Sequence, residues 1–167
     1  MQAVRGAVRA AWLSGDMDGD TYRRIIEVPP IRGESARAGR YFTRGEVAAL
    51  FEACDDSAIG RRDTALLAVL FGCGLRRSEA SALRVADVDL AERRLTVHRG
   101  KGGKGRHVPL LGNAAAHVEA WATLREGADG PLLCRVRKGG RITGEPIGGE
   151  GIRLRLRTIA ARADVPA

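Results

Sequence analysis

The sequence predicts an α+β protein that is mainly helical, with its helices packed around a small three-stranded antiparallel sheet. Two patterns support this prediction. Apolar residues recur at helical spacing through most of the chain, for example in 43–51, 61–71 and 113–124. Between 85 and 110 the spacing changes to the alternation that is typical of strands. The length of 167 residues suits one ordinary domain, or one domain and a fragment of another.

The first 28 residues predict two short helices. Apolar residues that include Trp12 fall at helical spacing in 2–13, where we expect the indole in a core, and a second helix should cover 22–28 behind Asp20. The segment 29–40 begins with two prolines and continues with small and charged residues, which predicts an interdomain linker. Two helices cannot bury a core by themselves, so 1–28 is interpreted as the end of a domain whose beginning is missing.

The helices of the longer part have clear boundary signals. Thr43 and Glu46 have the spacing of a capping box at the start of a helix. A longer apolar helix is expected over 61–71 and a short one over 77–83, separated by the glycines of 72–74. Asn113 can cap a further helix that carries Trp121 as a core residue.

Three short strands are expected between the two halves of this helical set. Apolar pairs alternate at 88–90, 95–97 and 108–110, and a glycine-rich turn with Lys101 joins the last two. After the helix at 113–124 we expect an extended piece at 132–136. A loop bracketed by two glycine pairs should then lead to a final basic helix at 152–163.

The net charge of +8, from 28 Lys and Arg against 20 Asp and Glu, favours a polyanion such as nucleic acid as partner. An arginine-rich soluble protein would have the same charge, so other motifs must decide. Cys54, Cys73 and Cys134 are widely spaced without a metal-binding pattern, which predicts reduced thiols in a cytoplasmic protein and no metal site. The longest apolar run is too short to cross a bilayer, so no membrane partner is expected.

The run GCGLRRSE at 72–79 is the first candidate for chemistry. Arg76 follows a glycine turn, and its planar fork can hold two oxygens of one phosphate. Glu79 stands three residues later on the same helix face, where it can orient the guanidinium. An ordinary surface ion pair at a helix start would have the same sequence.

The second candidate is the run GKGGKGRHVPL at 100–110. Lys101 lies in a turn and has a flexible stem, which suits a general acid that protonates a leaving oxygen. Lys104 and Arg106 are interpreted as groups that position phosphate, with Arg77 and His107 as further DNA contacts. An ordinary surface or half-buried imidazole is the alternative for His107. The run lacks the GxxxxGK[ST] pattern and the strand-to-helix glycine fingerprint, so no nucleotide cofactor is expected.

Taken together with the continuation SALRVADVD at 81–89, these two runs resemble the front half of the catalytic domain of the tyrosine recombinases, the phage integrase family. The resemblance implies that 1–28 is the end of a core-binding domain and 41–167 the first part of a catalytic domain. It assigns catalytic roles to Arg76 and Lys101, with Glu79 in support. It also implies double-stranded DNA and other recombinase protomers as partners, and strand breakage and rejoining through a tyrosine, without metal or cofactor.

The sequence departs from the family at its second catalytic box. That box, a His-x-x-Arg pattern followed by the nucleophilic tyrosine, should begin after the final helix, whereas the tyrosines present are Tyr22 and Tyr41. We therefore expect DNA binding without cleavage by this chain. A non-catalytic DNA-binding protein, either a decayed integrase or a competitor for recombination sites, is the alternative. An RNA-binding basic module is a third interpretation, disfavoured because aromatic residues are not clustered.

Overall fold

The computed structural model describes residues 2–29, 40–98, 105–125 and 129–166, which form seven α-helices and five strands. The helices are Gln2–Leu13 (α1), Gly19–Glu27 (α2), Arg44–Glu52 (α3), Ala58–Leu67 (α4), Arg77–Ala82 (α5), Ala114–Leu124 (α6) and Gly149–Arg162 (α7). The strands are Val88–Asp89 (β1), Arg94–Val97 (β2), Arg106–Pro109 (β3), Cys134–Val136 (β4) and Ile142–Pro146 (β5). Contacts divide the chain into two units, Met1–Tyr41 and Phe42–Ala167. The linker predicted at 29–40 lies almost entirely outside the described residues.

The first unit is a helical hairpin of α1 and α2. Asp18 caps α2 by accepting the backbone N–H groups of Asp20 and Thr21 at 3.0 and 2.9 Å. The sequence had suggested Asp20 as the start, so the helix begins earlier than predicted. Trp12 stacks on the Tyr22 ring with centroids 4.6 Å apart. Its indole remains 40% exposed, so the expectation of a core tryptophan at this position was wrong.

The second unit contains the predicted antiparallel sheet, with strand order β1-β2-β3. The alternation of apolar residues in β2 and β3 buries one face of each strand, as expected. Leu95, Val97 and Val108 face the core. Leu95 pairs with Val108, and Val97 pairs with Arg106 at the far end of the ladder. Since alternate residues share a face, Arg106 projects toward the same side as the core residues.

Helix α4 supplies the centre of the core, where Ala65, Leu66 and Leu67 are fully buried. The sequence predicted a continuous helix to residue 71, but α4 ends at Leu67 and continues as a π-helical turn, Ala68–Gly72. The backbone then turns sharply at Gly74, which has a φ of +64° that a side chain would strain. This turn ends the buried segment and directs the chain into α5.

The hairpin of β4 and β5 was missed by the sequence analysis, which expected one extended piece and a loop. The strands pair antiparallel, with Cys134 opposite Pro146. The positive φ angles of Gly139 and Gly140 permit the turn between them. Most of β5 is exposed and it contains a glycine and a proline, so it lacks the apolar alternation by which strands are predicted.

Candidate functional site

Arg76 stands at the N-terminal boundary of α5, directly after the turn at Gly74 and Leu75. The buried carboxylate of Glu79 fixes it in two ways. Glu79 Oε2 accepts the backbone N–H of Arg76 at 2.8 Å, and Oε1 accepts its Nη1–H at 3.0 Å. The Glu79 side chain is 3% exposed and that of Arg76 is 59% exposed. The acid is therefore inside and the guanidinium that it orients reaches solvent.

Arg106 reaches the same carboxylate from β3, 27 residues away in sequence. Its Nη1 and Nη2 donate to Oε1 and Oε2 of Glu79 at 2.8 and 2.9 Å, which is the bidentate fork geometry. The two guanidinium groups thus share Oε1, while Oε2 accepts from Arg106 and from the Arg76 backbone. Sequence reasoning had paired Glu79 with Arg76 alone. Only the fold brings β3 against α5, so no local signal could have predicted the second pairing.

The cluster of Arg76, Glu79 and Arg106 has a net positive charge because one carboxylate faces two guanidinium groups. The hydrogen bonds from Arg106, helped by the backbone and side chain of Arg76, lower the pKa of Glu79 from 4.5 to about 2 against the opposing effect of burial. The same pair raises the pKa of Arg106. Glu79 is therefore ionised at neutral pH.

Lys101 and Lys104 lie outside the described residues. The structure describes the two ends of their segment, where β2 finishes at Val97 and Gly105 precedes β3. A Cβ on Gly105 would stand 3.3 Å from the Val97 carbonyl oxygen and 3.5 Å from that of His98, so these ends are in close contact. The role of Lys101 as a general acid remains a prediction.

Arg77 and His107 lie apart from this cluster. His107 is exposed and alternates with Arg106 along β3, so it points away from Glu79, and its Nδ1 is 3.3 Å from Thr96 Oγ1. Arg77 is exposed on α5, with its Nε close to Gly149 at the start of α7. The two residues offer positive or polar groups on the surface but do not share the carboxylate.

A second buried acid, Asp87, holds another basic side chain beside the same strands. It follows α5 in the 3₁₀ turn Val85–Asp87, and its Oδ1 is 2.7 Å from His98 Nε2. The Asp87 side chain is 6% exposed. Helix and strand periodicity give no reason to connect His98 with Asp87, so this contact could not be predicted from the sequence.

A third buried acid, Asp63, is bound by two arginines within the core. Arg62 donates to Oδ1 through Nε and Nη2 at 2.9 and 2.6 Å, and Arg155 of α7 donates to Oδ2 through Nε at 3.1 Å. A basic helix, which the sequence predicts at 152–163, would by default present its arginines to solvent. The side chain of Arg155 turns inward instead.

No helix in the described ranges combines the length and apolar character needed to cross a membrane. Within those ranges, no three His, Cys, Asp or Glu side chains come together in a way that could hold a metal ion. The cysteines are unbridged, and burial raises the pKa of the Cys54 and Cys73 thiols. The arginine pair on Glu79 is the cluster in which the described parts of the two sequence motifs meet.

Comparison with known families identifies the class to which this sequence and fold correspond. The sequence profile of the phage integrase family matches residues 40–166, which include the whole of the cluster. The chain belongs to the phage integrase family.

Individual relatives are tyrosine recombinases named XerC. The protein of Chromobacterium violaceum is 38% identical over 108 residues, which cover 64% of this chain and 34% of the relative. That of Proteus mirabilis is 31% identical over 131 residues, which cover 75% of this chain and 42% of the relative. The chain thus spans less than half of the length of these relatives.

The crystal structure of XerA recombinase has a similar fold. It superposes with a TM-score of 0.63 at 23% sequence identity, over 77% of this chain and 45% of that one. The likeness supports the architecture described above, with helices around a small antiparallel sheet.

Proposed function

We propose that this chain binds double-stranded DNA by holding a backbone phosphate between Arg76 and Arg106, as part of a tyrosine recombinase site. The observation that carries the proposal is the shared carboxylate of Glu79, which binds both guanidinium groups. Membership of the phage integrase family supports DNA as the polyanion. The net charge of +8 supports it independently of the family.

Glu79 makes the two arginines suitable for a phosphate in two respects. It restrains long side chains that would otherwise lose conformational freedom on binding. It also leaves N–H donors of the Arg76 guanidinium free. Toward the described residues, this guanidinium donates a hydrogen bond through Nη1 alone. A guanidinium held in this way can contact a phosphate whose charge grows during reaction, which is the condition for electrostatic stabilisation of a transition state.

The remaining predicted residues are assigned by the family resemblance. Lys101 would serve as the general acid for the leaving 5′-oxygen, since a lysine on a turn can reach it. Lys104, Arg77 and His107 would contact neighbouring phosphates and fix the register on the duplex. Further recombinase protomers would complete the assembly on DNA.

We propose in addition that this chain binds DNA without cutting it by itself. Strand cleavage in the family needs a tyrosine oxygen in line with the scissile phosphate, at about 3–3.5 Å in the reactive geometry. The tyrosines of this sequence are Tyr22 and Tyr41, and both precede the Arg76 motif that the family nucleophile follows. The Tyr22 ring is moreover stacked on Trp12.

Two measurements on one substrate test this function. A fluorescently labelled duplex should show saturable binding at low salt by anisotropy, and no binding at low salt would contradict every nucleic-acid function. A nicked duplex should give no protein–DNA adduct on a denaturing gel. An adduct that maps to Tyr22 or Tyr41 would contradict the proposal of binding without cleavage.

A further inference from the structure

The backbone holds the Asp87 carboxylate independently of His98. Its Oδ2 accepts the backbone N–H of Arg84 at 2.8 Å and so closes the 3₁₀ turn Val85–Asp87. Its other oxygen, Oδ1, faces His98 Nε2 at 2.7 Å. Because the carboxylate is buried and already committed to the backbone, its position sets the position of the imidazole rather than the reverse.

His98 lies at the same end of the sheet as Arg106. It directly follows Val97, the β2 residue that pairs with Arg106 in the last rung of the ladder. The backbone of Gly105 packs against it, since a Cβ there would stand 3.5 Å from the His98 carbonyl oxygen. A displacement of His98 would therefore displace the start of β3, from which the Arg106 side chain extends.

The two carboxylates belong to one continuous segment and face one cavity. Glu79 on α5 and Asp87 in the following turn both line a cavity of about 350 Å³, together with Thr96, Val97 and His98 of the β2 end. Adjacent strand ends are thus attached to this segment by Arg106 on Glu79 and by His98 on Asp87.

We propose that Asp87 and His98 are positioning residues for the phosphate site, a proposal that rests on the function argued above. The pair holds the end of β2 against the 3₁₀ turn, and through the Val97–Arg106 rung it keeps the Arg106 guanidinium on Glu79. His98 donates from Nε2–H to Asp87 Oδ1 in this arrangement. Neither residue needs to touch the phosphate, because they act through Arg106.

A double-mutant cycle on DNA affinity tests this proposal. His98→Ala should raise the Kd for a labelled duplex about fivefold, the equivalent of one ordinary hydrogen bond. In an Arg106→Ala background the same substitution should change the Kd by less than about twofold, since His98 can no longer act through Arg106. His98→Gln, which keeps a donor of similar reach, should restore most of the affinity.

Arg94→Ala is the matched control. Arg94 lies at the opposite end of β2 and forms an ion pair with Asp89 at 3.2 Å, so its removal also breaks a side-chain pair on this strand. We expect its effect on Kd to be the same with and without Arg106. Circular dichroism at the binding temperature verifies that each variant is folded, and Asp87→Asn, which still accepts the Arg84 N–H, replaces His98→Ala if that variant unfolds.

The outcomes separate this inference from the function on which it rests. If the unaltered chain binds DNA and Arg106→Ala weakens binding, but His98→Ala acts equally in both backgrounds, the positioning proposal is wrong and the DNA site stands. If His98→Gln does not restore most of the DNA affinity that His98→Ala loses, the positioning proposal is also wrong. If the unaltered chain does not bind DNA, the proposed function fails and this inference fails with it.

Discussion

Glu79 keeps a negative charge inside the protein because donors from two elements surround it. The fork of Arg106 and the backbone and side chain of Arg76 together stabilise the ionised form, which explains why its pKa falls although burial acts in the opposite direction. A group whose pKa is lower in the folded chain than in the unfolded chain stabilises the fold above the unfolded value. That stabilisation is lost as the pH falls toward the folded value.

Glu79→Gln should therefore change the acid dependence of stability. At pH 7 we expect the free energy of unfolding to fall by about 1–3 kcal/mol, since a buried charged hydrogen-bond acceptor is lost. Between pH 5 and pH 2, across the interval in which Glu79 is protonated, the variant should lose less stability than the unaltered chain. Urea denaturation at several pH values measures both quantities.

Glu150→Gln is the control for this comparison. Glu150 also has a lowered pKa, chiefly through its hydrogen bonds with Arg153, but it lies on the exposed face of α7. Removing an exposed pair should leave the free energy of unfolding nearly unchanged. Equal acid profiles for Glu79→Gln and the unaltered chain would show that the buried cluster does not have the stabilising role described here.

At the scale of elements, the orientation of α7 depends on an interaction that its own sequence does not reveal. Arg155 turns toward Asp63 of α4, and Arg62 binds the same carboxylate and also donates to the Cys134 carbonyl of β4 at 3.4 Å. One buried acid therefore connects two helices and a strand. Arg157 and Arg162 of the same helix are exposed.

Asp63→Ala should lower the free energy of unfolding by about 3–5 kcal/mol, because it leaves buried guanidinium charge without its partner. Asp56→Ala removes an acid from an exposed pair with Arg61 at 3.9 Å and should be nearly neutral. Thermal or chemical denaturation of both variants provides the measurement. A small loss for Asp63→Ala, similar to that of the control, would contradict the structural role of the cluster.

The elements that could be predicted from sequence are those whose signals are local. The Thr43–Glu46 capping box forms as expected, because both partners lie within one helical turn. The alternation in β2 and β3 also predicted their buried faces. Asn113, by contrast, stands at the start of α6 without a capping hydrogen bond from its side chain.

The candidate site was predictable only in part. The spacing of Arg76 and Glu79 is local, so their pairing could be expected. The bonds from Arg106 to Glu79 and from His98 to Asp87 depend on how β2 and β3 pack against α5, and no local pattern encodes that packing. Exposed β5 was missed for a related reason, because it has no apolar face to mark it.

At the scale of the whole molecule, the burial of acids affects where the excess positive charge lies. Three carboxylates, Asp63, Glu79 and Asp87, lie inside the fold, and each is bound to basic side chains. Because these acids are buried, they do not lie among the exposed arginines of the described residues, such as Arg76 and Arg157, and the chain has a net charge of +8. Such a surface attracts a polyanion and releases its counterions on binding.

The salt dependence of duplex binding tests the central claim most directly, because its slope counts the phosphates that the protein neutralises. The double variant Arg76→Ala/Arg106→Ala should have a slope of log K against log salt concentration that is smaller by about 2 than that of the unaltered chain. Arg23→Ala/Arg94→Ala removes the same charge from two exposed ion pairs and should leave the slope within about 0.5 of the original. Equal slopes for the two double variants would contradict a phosphate site built on Glu79.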